Sequence, residues 1–351
     1  MNPRLAIGPA NYAGQAYAWA QAVTRHTAAD AVAFTVDTVR GDPFGFPAHR
    51  RIPMAAYYLP VLRTLRARRF LADRTHVILD GFRPLFYDRS PDGFRRQAEA
   101  LRDRGPTLGL LAHGTDVRDP DAHLARYRHS FFAEGDPGWL AQRRTISARN
   151  RETARRLGVP LFVSTPDMLN DLPGAVWVPV CLDPTAWHTD VPPLERRVPR
   201  VLFVPSQSVL KGTRHVEPVL RRLAERGLIE YVAPRGVPHA EMVRLVKSVD
   251  IVVDQLLFGS YGVAAIEAMA AGRVVVGNIS TLGTDVMPEL PHVENATPDD
   301  FEQVLSSILD RRDEARAAAA GNVGFVRRWH DGREAARRLA PFLGLPATLA
   351  R

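Results

Sequence analysis

Residues 254–278 read DQLLFGSYGVAAIEAMAAGRVVVGN and contain the clearest local pattern of the chain. An apolar run leads into a loop that carries Gly259 and Gly262. Small residues with a single acid, Glu267, follow, and a β-branched run lies at 274–276. That order is typical of a loop, a helix, a turn and a buried parallel strand. The stretch therefore predicts one unit of an α/β sheet.

The same stretch has features that suit a phosphorylated ligand. Loop glycines let the backbone approach a ligand closely, and a helix N-terminus presents free N–H groups and positive potential. Glu267 lies one to two turns into the predicted helix, where a carboxylate can bind neighbouring hydroxyls such as those of a ribose. Alternatively, the Ala and Gly residues serve only close packing of a buried unit. The pattern alone leaves both interpretations open.

Length and composition indicate a globular protein of two domains. A chain of 351 residues is long for one core, and 46% hydrophobic with 24% charged residues is typical of soluble proteins. No apolar run is as long as a membrane span, the first residues lack the apolar core of a signal peptide, and a single cysteine, Cys181, excludes an internal disulfide. We therefore expect a cytoplasmic location.

The formal charge of +8 comes almost wholly from arginine, because the only lysines are Lys211 and Lys247. A basic surface can attract nucleic acid, anionic lipid or phosphorylated ligands. The arginines are spread out and no nucleic-acid-binding motif occurs, so we expect no nucleic-acid partner. A lysine in such a chain indicates a local need for a compact point charge.

Alternating strands and helices run along both halves of the chain. Strands are predicted at 4–8, 32–36, 76–80, 107–112, 161–164 and 175–178, and again at 201–204, 229–232, 251–253 and 274–276. The proline-rich stretch 179–199 is the best linker. We predict an α/β fold of two doubly wound, Rossmann-like domains facing across a cleft, at 1–185 and 186–325. A C-terminal helix at 326–351 is expected to pack back toward the first domain.

Polar residues follow the predicted strand at 107–112, beginning with His113 and Asp116 and continuing to Asp119, Asp121 and His123. Open α/β sheets bind ligands at the carboxyl ends of their strands. We favour an active-site loop in which His113 and Asp116 face a substrate. Aspartates that cap turns, and a metal site, are the alternatives, but the spacing matches no metal signature and we expect no metal.

Arginines lie among leucines in residues 59–71, which predicts a basic amphipathic helix. Such a helix is either the solvated face of an ordinary helix or a peripheral contact with an anionic membrane, at the inner face of the cell membrane. The pattern leaves both interpretations open.

The loop at 205–213 offers hydroxyls at Ser206 and Ser208, the charge of Lys211 and the amide of Gly212, just before a predicted helix. It is not a P-loop, since the glycine-rich lysine motif is absent. The groups nevertheless suit a diphosphate, and a fixed lysine with a helix N-terminus can stabilise the charge of a departing nucleoside diphosphate without a metal.

Together, Lys211-Gly212 and the run from Glu267 to Gly272 resemble the donor site of the retaining nucleotide-sugar glycosyltransferases of family four, which have the GT-B fold. The resemblance implies that Lys211 binds the donor diphosphate and that Glu267 binds the ribose. It also implies that the loop Gly259–Gly262, including Tyr261, and the backbone at Val263 lie near the phosphates.

In the first half, the stretch 9–15, with Asn11 and Gly14, resembles the amino-terminal glycine loop of that family. His113 resembles its histidine beside the transferred sugar. On this basis Gly14 lies close to the donor, and Asn11 and Asp116 are expected on the acceptor side. In one departure, Gly259 stands where the family has the first glutamate of its Glu-x7-Glu motif; in another, the arginine before Lys-Gly is absent.

The sequence therefore predicts a glycosyltransferase for glycan biosynthesis. It would move a sugar from a nucleotide-diphosphate donor to a hydroxyl of a glycan, glycolipid or small molecule. By resemblance the reaction retains the anomeric configuration and requires neither metal nor cofactor, with His113 and Lys211 as catalytic residues. The departures at Gly259 and before Lys211 motivate the alternative, a non-catalytic module that binds a nucleotide sugar.

Overall fold

The computed structural model describes residues 2–36, 44–53, 71–88, 90–205, 208–234, 236–280, 282 and 287–347. The chain forms two compact units. The first comprises Met1–Asp119, Thr145–Cys181 and Gly332–Arg351, and the second comprises Pro120–Arg144 and Leu182–Asp331. Each unit is built on a parallel sheet.

The first unit contains a seven-stranded sheet among the described residues, in the order β3-β2-β1-β4-β5-β6-β7. All its neighbouring strands run parallel. The strands are β1 (Arg4–Gly8), β2 (Asp30–Val36), β3 (Arg50–Ile52), β4 (His76–Asp80), β5 (Thr107–Ala112), β6 (Leu161–Val163) and β7 (Val176–Trp177).

Among the described residues of the second unit there is a five-stranded parallel sheet, in the order β12-β11-β10-β8-β9. Its strands are β8 (Arg200–Phe203), β9 (Glu230–Val232), β10 (Ile251–Val253), β11 (Val274–Gly277) and β12 (Glu294–Asn295). The sheet therefore has β10 at its centre, with β8 and β11 on either side.

The helices cover the sheets in the alternating pattern that parallel strands require. In chain order they are α1 (Gln15–His26), α2 (Gly93–Arg104), α3 (Pro120–Arg126), α4 (Pro137–Leu157), α5 (Pro184–Trp187), α6 (Ser208–Lys211), α7 (Thr213–Glu225), α8 (His239–Lys247), α9 (Val263–Ala270), α10 (Phe301–Asp310), α11 (Arg312–Trp329) and α12 (Arg333–Leu339). Short 3-10 turns lie at Tyr12–Gly14, Phe131–Glu134, Pro166–Asn170 and Pro341–Leu343.

Each unit has its own apolar core. In the first, Trp19 of α1 is fully buried with Ile7 of β1 and Leu339 of α12, and its indole N–H donates to the carbonyl of Pro179 at 2.7 Å. In the second, α7 buries Val216, Leu220 and Leu223 at helical spacing. The three residues of β10 are all buried, because a central parallel strand is covered on both faces.

The segment Pro120–Arg144 belongs to the second unit although the first unit's sequence continues on both sides of it. Phe131 and Phe132 pack with Leu257 and Phe258, and the Phe131 amide donates to the Leu257 carbonyl at 3.1 Å. The sequence pattern gave no sign of this exchange, since the contacts join residues more than a hundred positions apart.

The predicted strands are confirmed to within one or two residues, as are the two alternating runs of strands and helices. The predicted basic helix at 59–71 lies outside the described residues except for its last position. The predicted boundaries at 185 and 325 stay predictions. None of the described helices has the length and apolar character needed to cross a membrane.

Candidate functional site

In the first unit, the buried carboxylate of Asp80 ties together the loops that follow β1, β4 and β5. It accepts the amide of Ala10 at 2.6 Å and that of Asn11 at 2.8 Å. The Nε2 atom of His113 lies 3.2 Å from Oδ2 of Asp80, the same oxygen that accepts the Asn11 amide. These strands are neighbours in the sheet, so Asp80 fixes three carboxyl-end loops at one place. The sequence prediction did not include Asp80.

The imidazole of His113 is held on several sides. Its side chain is 10% exposed, the ring stacks on Trp19 at a centroid distance of 5.7 Å, and the edge of Tyr12 meets it at 5.0 Å. A carboxylate at Nε2 and an aromatic stack fix the orientation of the ring. When Nε2 carries the proton toward Asp80, Nδ1 is left as the hydrogen-bonding atom for a ligand.

Asp116 caps the turn after β5. Its carboxylate accepts the backbone amide of His113 at 3.0 Å and that of Gly114 at 2.6 Å. This is the capping arrangement that the sequence left as an alternative. Asp116 therefore shapes the loop that presents His113.

The remaining acids of this loop contact arginines. Asp119 contacts Arg151 at 2.8 Å, and Asp121 contacts Arg144 at 2.6 Å. Within the described ranges, no three side chains of His, Cys, Asp or Glu gather in a way that could hold a metal ion.

The glycine loop after β1 has an unusual backbone. Asn11, Ala13 and Gly14 all have left-handed φ values, 48°, 50° and 70°. The Asn11 side chain is used within the protein, because its Oδ1 accepts the Tyr17 amide at 3.1 Å and its Nδ2 donates to the Pro47 carbonyl at 2.9 Å. Asn11 therefore fixes the loop.

In the second unit, Lys211 forms an ion pair with Asp254, which follows β10 directly. The other carboxylate oxygen of Asp254 accepts the backbone amide of Gly262 at 2.7 Å. The lysine side chain is 15% exposed and the aspartate side chain 2%. Asp254 thus joins two groups predicted for diphosphate binding. Asp254 is not among the predicted site residues, although an acid directly after an apolar strand is a signal that the sequence contains.

Gly212 has a left-handed φ of 66° at the start of α7. A Cβ atom at this position would lie 3.1 Å from the side chain of Leu257. Both the backbone conformation and the space therefore favour glycine after Lys211.

Glu267 lies on α9 with its side chain 8% exposed, and its Oε1 atom is 3.1 Å from Nε2 of His239. Burial raises the pKa of Glu267, which the hydrogen bond from His239 and the charge of Lys211 partly oppose. The same hydrogen bond raises the pKa of His239. His239 begins α8 and meets the ring of Trp187 at 5.8 Å. The sequence analysis did not identify His239.

The loop before α9 is buried. Gly259 has a φ of 76°, and the hydroxyl oxygen of Ser260 is buried with no hydrogen-bond partner in the described structure. Tyr261 is 4% exposed, and its hydroxyl lies 3.3 Å from Nε2 of His330. Tyr261 therefore packs into the core, and Val263 begins α9. Ser206 lies outside the described residues.

The structure is similar to solved glycosyltransferases over nearly its whole length. Sucrose-phosphate synthase from Thermosynechococcus elongatus has a TM-score of 0.60 at 14% identity, covering 97% of this chain and 98% of that one. HepE from Anabaena, in complex with UDP and glucose, has 0.63 at 11%, covering 98% and 100%. An alpha-glucosyltransferase in complex with UDP-glucose and DNA has 0.66 at 11%, covering 98% and 99%.

No family model matches this chain, and no curated protein sequence does. Two parallel α/β sheets, together with these structural neighbours, confirm the predicted GT-B fold class. The identities are low, so the likeness establishes the fold, and the activity is argued from the site.

Proposed function

We propose that this protein is a glycosyltransferase that moves a sugar from a nucleotide-diphosphate donor to an acceptor hydroxyl. The observation that carries the proposal is a group of side chains beyond the carboxyl ends of β8 and β10. Lys211, the Gly262 amide at the start of α9 and Glu267 gather there, and Lys211 and Asp254 are close enough to act on the pKa of Glu267. Ligands of parallel α/β sheets bind at such strand ends.

In this proposal the second unit binds the nucleotide. Lys211 has three N–H donors and gives one to Asp254, so two are available for diphosphate oxygens. The N-terminus of α9 adds positive potential. Glu267 accepts hydrogen bonds from the ribose hydroxyls, with its carboxylate oriented by His239.

The reaction breaks the bond between the anomeric carbon and the diphosphate and forms a bond from that carbon to the acceptor oxygen. Negative charge grows on the leaving diphosphate, and Lys211 with the helix N-terminus stabilises it. The acceptor hydroxyl loses its proton as the new bond forms. We assign His113 of the first unit to orient the transferred sugar. Retention and independence of metal are further parts of the proposal, supported by the resemblance of Lys211-Gly212 and Glu267–Gly272.

A thermal-shift panel of UDP, GDP, ADP, CDP, dTDP and their sugars tests nucleotide binding. A ligand at one hundred times its Kd stabilises the native state by about 2.7 kcal/mol. UDP is the first candidate because one neighbour was solved with UDP and another with UDP-glucose. Lysine variants make a matched pair: Lys211→Met should abolish the shift, and Lys247→Met should retain it. No shift with any nucleotide would refute the proposal.

A non-catalytic nucleotide-sugar-binding module is the second candidate. Gly259 in place of a carboxylate favours it, as does a Lys211 that is already paired with Asp254. The two candidates separate when sugar transfer and donor hydrolysis are measured with the nucleotide sugar that gives the largest shift. Binding without turnover across glycan, glycolipid and small-molecule acceptors would favour the module. DNA belongs in that screen, since one neighbour was solved with it.

We also propose that the protein acts in the cytoplasm, either free or on the inner face of the membrane. The basic residues at 59–71 support a peripheral contact. Sedimentation with anionic and neutral vesicles tests it, and equal recovery with both would exclude electrostatic attachment through this segment.

A further inference from the structure

We propose that Tyr12 and Arg83 form a binding platform for an acceptor sugar that carries an acidic group. The proposal rests on the proposed glycosyltransferase function and names the class of acceptor. It concerns only the first unit, at the carboxyl ends of β1 and β4. Neither residue belongs to the sites assigned above.

Tyr12 presents an aromatic surface to solvent beside His113. It is 40% exposed, whereas Asn11 and Gly14 of the same loop are buried. The edge-to-face contact with His113, at 5.0 Å, places this surface next to the histidine assigned to the transferred sugar. An aromatic face can pack against the C–H face of a puckered sugar ring, because both surfaces are apolar.

The position of the Tyr12 ring is set by its surroundings. A Cβ atom at Gly81 would lie 2.8 Å from the ring, so the ring packs directly on the backbone there. Asn11 and Ala13 on either side of Tyr12, and Phe82 in the neighbouring loop, are non-glycine residues with left-handed φ values of 48°, 50° and 51°. Strained backbone of this kind costs free energy and persists where surrounding contacts hold it. The hydrogen bonds that the backbone amides of Ala10 and Asn11 donate to the Asp80 carboxylate provide such contacts.

Arg83 supplies a cation over the Tyr12 ring. Its Nε atom donates to the Tyr12 hydroxyl oxygen at 2.9 Å, and its guanidinium carbon lies 5.1 Å from the ring centroid. Arg83 is exposed, and the ion pairs formed by the described residues do not include it. Its two terminal nitrogens can therefore bind a carboxylate or phosphate in bidentate fashion.

The Tyr12 hydroxyl adds a directed donor. A tyrosine hydroxyl keeps its proton at neutral pH because its ordinary pKa is about 10, and partial burial raises the pKa of Tyr12 further. Because Arg83 donates to its oxygen, that proton points to another acceptor, and a ligand oxygen can receive it. The platform thus combines a flat apolar face, one hydroxyl donor and a cation, which together match a sugar ring bearing an acid.

Calorimetric titration of the full chain with glucose, glucuronate and glucose 6-phosphate tests the proposal. Saturating UDP is included so that the donor site does not bind the anions. At least one acidic sugar should bind about tenfold or more tightly than glucose, because a charge-assisted hydrogen bond is worth that much or more. The tighter of the two acids tells a carboxylate from a phosphate preference.

Variants locate the effect. Arg83→Gln should remove the preference for the acidic sugar, whereas Arg128→Gln, at an arginine side chain that is 82% exposed in the second unit, should keep it. Tyr12→Ala should lower the affinity for all three sugars by about threefold to tenfold. Tyr12→Phe keeps the ring and replaces the alanine variant in the test if that variant misfolds. It should lower the affinity for acidic sugars less than Arg83→Gln does.

The platform is wrong if charged and neutral sugars bind with equal affinity, or if none of them binds at millimolar concentration. It is also wrong if the preference for acidic sugars remains in Arg83→Gln. The UDP-induced thermal shift is measured on the same variants. If that shift remains while the sugar preference is absent, the platform is wrong and the proposed function stands. Loss of the shift in the unmodified protein would instead count against the proposed function.

Discussion

The ion pair between Lys211 and Asp254 predicts an unequal response to removing its two partners. Lys211→Met removes the ammonium and keeps the apolar stem, which leaves a carboxylate that is 2% exposed without its cation. Asp254→Asn leaves a lysine that is 15% exposed and can extend its ammonium to water. An asparagine oxygen can still accept the Gly262 amide.

Breaking a buried ion pair by removing one partner costs about 3–5 kcal/mol. Water reaches the lysine end of this pair, so we expect about 3 kcal/mol for Lys211→Met. For Asp254→Asn, which replaces a charged acceptor by a neutral one, we expect about 1–2 kcal/mol. The double variant should resemble Asp254→Asn, since no buried charge is left unpaired, and should therefore be more stable than Lys211→Met alone.

Urea unfolding followed by circular dichroism measures all four proteins, and a double-mutant cycle isolates the coupling free energy. In a scan, about 3 kcal/mol corresponds to a fall in Tm of roughly 6–12 °C for a unit of this size. Lys247→Met, at the other lysine of the chain, is the control and should be close to wild type. A stable Lys211→Met, or a double variant less stable than that single variant, would refute the reasoning.

The cycle also separates folding from chemistry. Because Lys211 is proposed to act in catalysis and is also paired with a buried carboxylate, replacing it should reduce both turnover and stability. The double variant restores folding and still lacks the ammonium. It should therefore fold well and transfer no sugar, and transfer by a folded double variant would remove Lys211 from the mechanism.

Three further predictions concern single positions. The raised pKa of His239 means that the native state holds the imidazole proton more tightly than the unfolded state. The stabilisation that this protonated histidine gives is therefore complete below about pH 6.5 and is lost as the pH rises through the raised pKa. In urea titrations the stability difference between wild type and His239→Gln should shrink over that range, and a difference independent of pH would contradict the prediction. Glu267→Gln should weaken UDP by about tenfold in calorimetry but leave 2′-deoxy-UDP less affected, because the carboxylate is assigned to the ribose hydroxyls; equal losses for both ligands would remove that assignment. Gly212→Ala should lower the free energy of unfolding by about 1–2 kcal/mol or more, because the new Cβ atom is placed on a left-handed backbone and against the Leu257 side chain. Gly227→Ala is the control, since Gly227 has a similar φ of 69° but no atom within 4 Å of the new Cβ, and it should cost less. Equal losses in urea unfolding would contradict the role of crowding by Leu257.

Much of the fold could be predicted from the sequence because parallel α/β units leave a local pattern. Apolar strands of four or five residues alternate with helical spacing, and a buried strand such as β10 is apolar throughout. Lys211 could be singled out for a related reason. Lys211 is a lysine in a chain whose other basic residues are almost all arginines, and a glycine follows it at a predicted helix start. This is a local signal that can be recognised without knowing which residue the lysine contacts.

The partners of the site residues could not be predicted in this way. Asp254 lies 43 positions from Lys211, and His239 lies 28 positions from Glu267. Such pairs are brought together by the order of strands in the sheet, which single-strand patterns do not encode. The contacts of Asn11 and Asp116, which are predicted on the acceptor side, could not be predicted for the same reason. Both side chains form hydrogen bonds with backbone groups of nearby loops.

Local sequence patterns were sufficient to predict the alternation of elements and the apolar faces, and they singled out Lys211 and Glu267, which we propose for nucleotide binding. Tertiary structure decided which charges meet, since Asp80 gathers three loops and Asp254 joins Lys211 to the start of α9. It also decided that residues 120–144 pack in the second unit. Periodicity is a relation between residues a few positions apart, so it can be recognised in the sequence. Burial and charge pairing depend on distances in space between residues far apart in the chain, so they require the tertiary structure.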